Sequence, residues 1–159
     1  MGPGEGASPE ENELAYELGE AIAKQGWVLL TGGREFGVMH TAMKGASDNN
    51  GLTIGVLPAD STRGSSPYAQ IKIVTGLGSA RNNITVLSSH VIVVLGMAAG
   101  TASEVALAIK ANKKIILLAQ DELTVMFFKR IGTYRVTPVN TVKDALNLIR
   151  DYVSLNQIR

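Results

Sequence analysis

Two glycine-rich stretches and two charged side chains are where this chain could do chemistry. One stretch reads Thr31-Gly32-Gly33-Arg34-Glu35-Phe36-Gly37, the other Gly96-Met97-Ala98-Ala99-Gly100-Thr101. Each follows an apolar run and precedes a stretch of helical periodicity, so each forms a turn at a helix start. The first N–H groups of a helix have no partner within it, and the helix dipole there favours negative charge. Glycine allows positive φ and lets a phosphate approach the main chain. Arg81 follows a further turn, Thr75-Gly76-Leu77-Gly78, and heads a short helix. Its guanidinium is placed either to grip a phosphate in bidentate fashion or to close a structural ion pair. Glu104 is expected in the first turn of the helix after the second loop. There it either complements the dipole, or hydrogen-bonds a ligand hydroxyl or acts as an acid/base. Thr101 is an N-cap, a hydroxyl donor to phosphate, or both. Arg34 and Arg63 are weaker candidates, each balanced against a solvated surface arginine.

Several chemistries are excluded. The loops do not have the GxGxxG spacing of a dinucleotide fingerprint or the GxxxxGK[ST] spacing of a P-loop. The chain has no cysteine, hence no disulfide, thiolate ligand or cysteine nucleophile. His40 and His90 are far apart and lack carboxylates at ligand spacing, so no protein-ligated metal is expected. No Ser-His-Asp arrangement has support.

The elements that must hold these loops follow from capping and periodicity. Ser8, Pro9 and Glu11 form an N-cap, a proline at the first helical position and a capping-box acid. The helix they open carries Leu14, Ala15, Leu18, Ala21 and Ile22 on one face and ends at Gly26. Strands are expected at Trp27–Thr31, Leu52–Leu57, Ile71–Val74, His90–Leu95 and Lys114–Ala119, with a short edge strand at Tyr134–Val136 before Pro138. Helices are expected at Val38–Asp48, Thr101–Asn112 and Glu122–Ile131, with a last one after a Thr141–Asp144 capping box. Pro58 to Gln70 is a largely polar stretch of 13 residues, either a movable cover or disordered. Strands apolar on both faces alternating with helices imply a Rossmann-like, doubly wound parallel sheet with helices on both sides. In such a sheet ligands sit at the carboxyl ends of the strands, where strand order reverses. Met1 to Ala7 reads as the turn after a first strand, yet no strand precedes it. The first strand is therefore missing or truncated, or this segment is a flexible tail.

At 159 residues the chain is expected to be a single ligand-binding domain, 1–159. A net charge of +1 without a basic run argues against nucleic-acid and membrane partners. No apolar run is long enough to span a bilayer, and the Gly-rich, acidic start lacks a secretory leader's apolar core, which points to the cytoplasm. The helix Ala102–Ala111, apolar almost all round, calls for cover by a partner subunit. A homo-oligomer, dimer or tetramer, is therefore expected.

TGG-x3-GVM at Thr31–Met39, TGLGSARNN at Thr75–Asn83, and GTASE at Gly100–Glu104 after the VIVVLG strand together resemble one superfamily. It is the LOG-like, "lysine decarboxylase-like" Rossmann group, which includes LOG-type phosphoribohydrolases and the molybdenum cofactor carrier proteins. The resemblance spans nearly the whole chain. The ARN form of the arginine motif and the small size look closest to the carrier branch. That branch implies a homo-oligomer holding molybdenum cofactor (molybdopterin) by phosphate and pterin contacts without turnover, with molybdenum-enzyme assembly partners. Gly32, Gly33, Arg34, Gly37, Val38, Met39, Arg81, Asn82, Gly96, Ala98, Ala99, Gly100, Thr101 and Glu104 are then the implied binding residues. The hydrolase branch implies instead that Arg81 and Glu104 are catalytic, releasing base from a nucleoside 5′-monophosphate. A nucleotide-sensing module is a third alternative. Hydrolases usually carry PGGxGT where this chain has GMAAGT, and lysine where it has Asn82.

Overall fold

The computed structural model describes residues 1–156; Gln157 to Arg159, the end of the predicted 1–159 domain, lie outside the described residues. Helix α1 (Pro9–Lys24) starts as its sequence requires. The Ser8 hydroxyl accepts from the Glu11 N–H, and the Glu11 carboxylate accepts from the Ser8 N–H. Strand β1 (Leu29–Thr31), helix α2 (Gly37–Asp48), strand β2 (Thr53–Leu57) and strand β3 (Ile71–Val74) follow. Next come helix α3 (Arg81–Ser88), strand β4 (Val91–Leu95), helix α4 (Ala99–Lys110) and strand β5 (Lys114–Leu118). Helix α5 (Glu122–Gly132), strand β6 (Val136–Val139) and helix α6 (Val142–Asn156) complete the order.

All strand pairs are parallel, in two groups of three ordered β1-β2-β3 and β4-β5-β6. The expected α/β class is observed, with helices on both faces. Alternate residues of β4 and β5 go to opposite sides, as strand geometry demands. Leu95, Ile116 and Leu118 pack with α1, α2 and α6, whereas Ile92, Val94, Ile115 and Leu117 pack with α3, α4 and α5. Helices α1 and α2 approach closely because Gly19 and Gly45 lack side chains. A Cβ at Gly19 would lie 2.0 Å from the Ala42 carbonyl oxygen, and one at Gly45 2.2 Å from that of Tyr16.

Four expectations are corrected. The last strand is Val136–Val139 and contains Pro138, while Thr133–Arg135 is a 3-10 turn. Strand β6 lies at the sheet edge, so the missing proline N–H is directed away from β5 and removes no ladder bond. Strand β3 is not covered on both faces: all four of its residues are exposed at the opposite edge. Helix α4 starts at Ala99 rather than Thr101, which moves Thr101 and Glu104 further along it. Its outward residues Ser103, Ala106 and Lys110 are small or polar. A cluster of exposed large apolar side chains lies on α5 instead: Leu123, Met126, Phe127 and Ile131.

Candidate functional site

A polar cavity of about 410 Å³ opens beyond the carboxyl ends of β1, β2 and β4, between the two strand groups. Arg81, the first residue of α3, enters it from one wall at 7% exposure; Glu104 faces it from α4 at 8%. Their charged groups stand 3.7 Å apart, Arg81 Nη1 to Glu104 Oε1, too far for a hydrogen bond. Arg81 Nε and Nη1 are buried with no hydrogen-bond partner among the described residues. Gly32 makes room for this side chain, since a Cβ there would lie 2.5 Å from Nη1 and 2.7 Å from the Met39 sulfur.

The start of α4 completes the anion-attracting wall. Its N-cap, Ala98, is extended and offers no side-chain cap, and the first bonded amide is that of Ala102 to the Ala98 carbonyl. The amides of Ala99, Gly100 and Thr101 therefore head the helix without partners inside it. Thr101 is not the N-cap but the third helical residue, and Glu104 lies beyond the first turn, which removes the simple dipole-complementing role for it. Ala98, Ala99 and Gly100 are exposed, so the alanines leave this helix start open. Asn82 donates to Ser103 Oγ at 3.0 Å and ties α3 to α4 beside the cavity.

Burial raises the pKa of the Glu104 carboxyl above its ordinary value, against the opposing pull of the Met1 ammonium and of Arg81. Burial likewise lowers that of Arg81, Glu104 opposing it and Arg34 adding to it. Neither charge is fully compensated by the other.

Of the predicted binding residues, Arg34, Met39, Arg81, Asn82, Ala98, Gly100, Thr101 and Glu104 line this cavity. Ala99 stands at its rim as the first residue of α4. Gly32, Gly33, Gly37, Val38 and Gly96 do not line it, and each has a packing reason. Gly33 (φ 71°) sits against the Gly55 backbone and donates to Thr31 Oγ1. Gly37 (φ 58°) faces the carbonyls of Pro3 and Gly4, and Val38 N–H donates to the Pro3 carbonyl. Gly96 leaves space for the capping carboxylate of Glu11 and for Pro3. The end of the first glycine loop thus clasps the N-terminal turn.

Sequence reasoning missed that turn as a wall: Gly2, Pro3, Gly4 and Glu5 line the cavity, with Pro58, Gly78 and Ser79. The signal was present in the topology, since a doubly wound sheet puts its first turn at the ligand crevice. Arg63 is exposed and not among the lining residues. The Pro58–Gln70 segment is held at both ends, with the Gly78 and Gly76 amides donating to the Pro58 and Ala59 carbonyls and the Glu35 amide to that of Gly64. Ser66 N–H donates to the Gly33 carbonyl, and Thr53 Oγ1 bonds both the Tyr68 carbonyl and the Gln70 amide. His40 belongs to this anchorage, with Nδ1 3.1 Å from Ser66 Oγ and its ring 5.1 Å from that of Tyr68. His90 is exposed just before β4. Among the described residues no three His, Asp or Glu side chains gather as a metal site, and no helix is long and apolar enough to cross a membrane.

The molybdenum cofactor binding protein of Rippkaea orientalis superposes with TM-score 0.94 at 48% identity, covering 96% of this chain and 94% of that one. The molybdenum cofactor carrier protein of Chlamydomonas reinhardtii gives TM-score 0.91 at 47% identity, covering 97% and 96%. A cytokinin riboside 5′-monophosphate phosphoribohydrolase of Mycobacterium marinum is 42% identical over 50 residues, only 31% of this chain and 27% of that protein. The sequence model of the SLOG cluster4 family matches residues 1–146, and the chain belongs to that family.

Proposed function

We propose that this protein binds molybdenum cofactor and carries it without turnover. One observation carries the reading: a buried guanidinium with two partnerless donors faces the uncapped start of α4 across a polar cavity. A phosphate there would be held by Arg81 and by the amides of Ala99, Gly100 and Thr101, by charge-assisted hydrogen bonds. Arg34, Glu5, Ser79, Asn82 and Glu104, also lining the cavity, are further polar groups within reach of a pterin there. With no cysteine in the chain, the protein supplies no thiolate to molybdenum. The two relatives above, similar over nearly their whole length, are themselves described as binding or carrying this cofactor. We take it to work in the cytoplasm, alongside partners that assemble molybdenum enzymes.

We also propose a homo-oligomer, a dimer or tetramer. The exposed apolar side chains of α5 favour it, because Leu123, Met126 and Phe127 are each more than half exposed at 78%, 61% and 58%.

The test is calorimetric titration of the protein with molybdenum cofactor, with AMP and with inorganic phosphate, followed by analysis for free base. Binding of the cofactor with no base released from AMP is the expected result. Release of base from AMP would assign the protein to the hydrolase reading instead, which one feature favours: Glu104, buried and with its pKa raised, suits an acid/base facing Arg81. Nucleotide binding with neither turnover nor cofactor binding would mean a nucleotide sensor.

A further inference from the structure

Glu104 brings a buried carboxylate to a cavity wall that otherwise attracts anions. It follows Gly100 and Thr101 by one helical turn, so the three share one face of α4. Helical side chains lean toward the amino end of their helix, and Gly100 has none to stand in the way. The carboxylate is thereby carried back toward the uncapped amides of Ala99, Gly100 and Thr101. From the other side comes Arg81, 3.7 Å away at Nη1 and the one cation within ion-pair distance of Glu104 among the described residues. An anion oxygen hydrogen-bonded to Nη1 at about 2.9 Å lies no more than about 7 Å from Glu104 Oε1, whatever its direction. Both anchors of an anion here thus converge on an acid.

The charged groups around Glu104 are few. Arg81 reaches it from α3 and the Met1 ammonium acts on it from the N-terminal segment, while Arg34 and Glu5 line the same cavity. Burial already holds its carboxyl above the ordinary value against the pull of the ammonium and of Arg81. A phosphate on Arg81 makes two acids share one cation in a buried site. Such a pair does not stay fully ionised; it retains one proton between its members. Hydrogen phosphate carries that proton, and a phosphate monoester takes it up with a pKa of about 6. Sulfate, and the phosphodiester that joins two nucleotides, carry none near neutral pH. For them the carboxylate is a bare like charge.

We propose that, in the phosphate site described above, Glu104 determines the class of anion admitted. The site takes a phosphate monoester, with one proton shared between the ester and Glu104, and works against sulfates and phosphodiesters. Arg81 and the amides of α4 attract any anion, and Glu104 supplies the repulsive element that discrimination requires. A ligand extended through a diester or pyrophosphate linkage has no monoester left to share a proton and is disfavoured at this site.

The test compares inorganic phosphate with sulfate at about pH 8, where both are dianions of nearly equal size, taking Kd from the ligand-dependent rise of the thermal midpoint. The unliganded midpoint of Glu104→Gln shows that the variant is folded. The wild-type protein should bind phosphate at least about 10-fold more tightly than sulfate, because a group that accepts a ligand's proton discriminates against the analogue without it. In Glu104→Gln, whose amide both donates and accepts, the two should agree within about threefold, sulfate having gained. With methyl phosphate, Kd should rise more steeply with pH above about 7 in wild type than in the variant, by about one proton. The Met1 amine, its pKa lowered by burial, contributes equally to both and drops out of that difference. Equal affinities for phosphate and sulfate in wild type, or a preference and pH slope that survive unchanged in Glu104→Gln, would overturn the inference and leave the phosphate site standing. Binding of neither anion and no molybdenum cofactor by the wild type would overturn the phosphate site and this inference with it.

Discussion

Replacing Arg81 by methionine should separate binding from stability. At 3.7 Å, Arg81 and Glu104 attract by about 4–5 kcal/mol at an effective dielectric of about 20. Against this stand a desolvation cost of several kcal/mol for each buried ion and about 1–3 kcal/mol for each buried donor without a partner. Arg81 has two such donors, Nε and Nη1. The pair is therefore no asset to the ligand-free protein. Methionine keeps an unbranched apolar stem in the arginine's place and removes both orphan donors. Glu104, its pKa already raised by burial, relaxes by taking up a proton. The ligand-free variant should unfold at the same or higher temperature, gaining up to about 2 kcal/mol. Its affinity for a phosphate-bearing ligand should fall by about 1.5–3 kcal/mol, a roughly 10- to 150-fold rise in Kd. Scanning calorimetry of the free protein and titration with molybdenum cofactor, with inorganic phosphate as the simpler probe, measure the two quantities separately. A variant that loses more than about 3 kcal/mol of stability and binds unchanged would refute the reasoning and make the pair structural.

Other substitutions probe the neighbouring links. Gly32→Ala drives a Cβ into Arg81 Nη1 and Met39, and should weaken phosphate binding while costing about 1–3 kcal/mol of stability, both visible in a ligand-dependent thermal shift. Gly45→Ala pushes α2 off the Tyr16 backbone and should lower the midpoint by roughly 2–10 °C without touching the site. For pH, the sign follows from a carboxyl raised in the folded state. The stability it contributes is full below its ordinary value of 4.5 and is lost as pH rises through the higher folded value. Wild type should therefore lose stability relative to Glu104→Gln as pH rises from 4.5, and denaturant midpoints of the two that stay parallel across that window would contradict the assignment. Phe127→Glu on the exposed face of α5 should lower the mass seen by light scattering at micromolar concentration; an unchanged oligomer would move the interface elsewhere.

Much of the fold was legible because its determinants are local. Ser8, Pro9 and Glu11 cap α1 through groups three residues apart, and helical or strand periodicity can be counted along the chain. The exceptions are instructive. Tyr134–Val136 reads as a strand before Pro138, but an edge position tolerates the proline and the strand runs through it. Ile71–Val74 reads as a short strand, and only the strand pairing puts it, with Lys72, exposed at an edge.

The candidate site divides in the same way. Sequence alone determined that Arg81 follows a turn, that a small-residue loop opens the helix bearing Glu104, and that both belong to a doubly wound parallel sheet. Each of those depends on neighbours within a few positions. Only the tertiary structure decided what the groups do for one another. It brought Arg81 within 3.7 Å of Glu104, assigned Gly32 to the arginine's space, and gave Gly37 and Gly96 to the N-terminal turn. Such pairings join residues far apart in the chain, and the closure of the whole sheet, rather than any local preference, settles which of them meet.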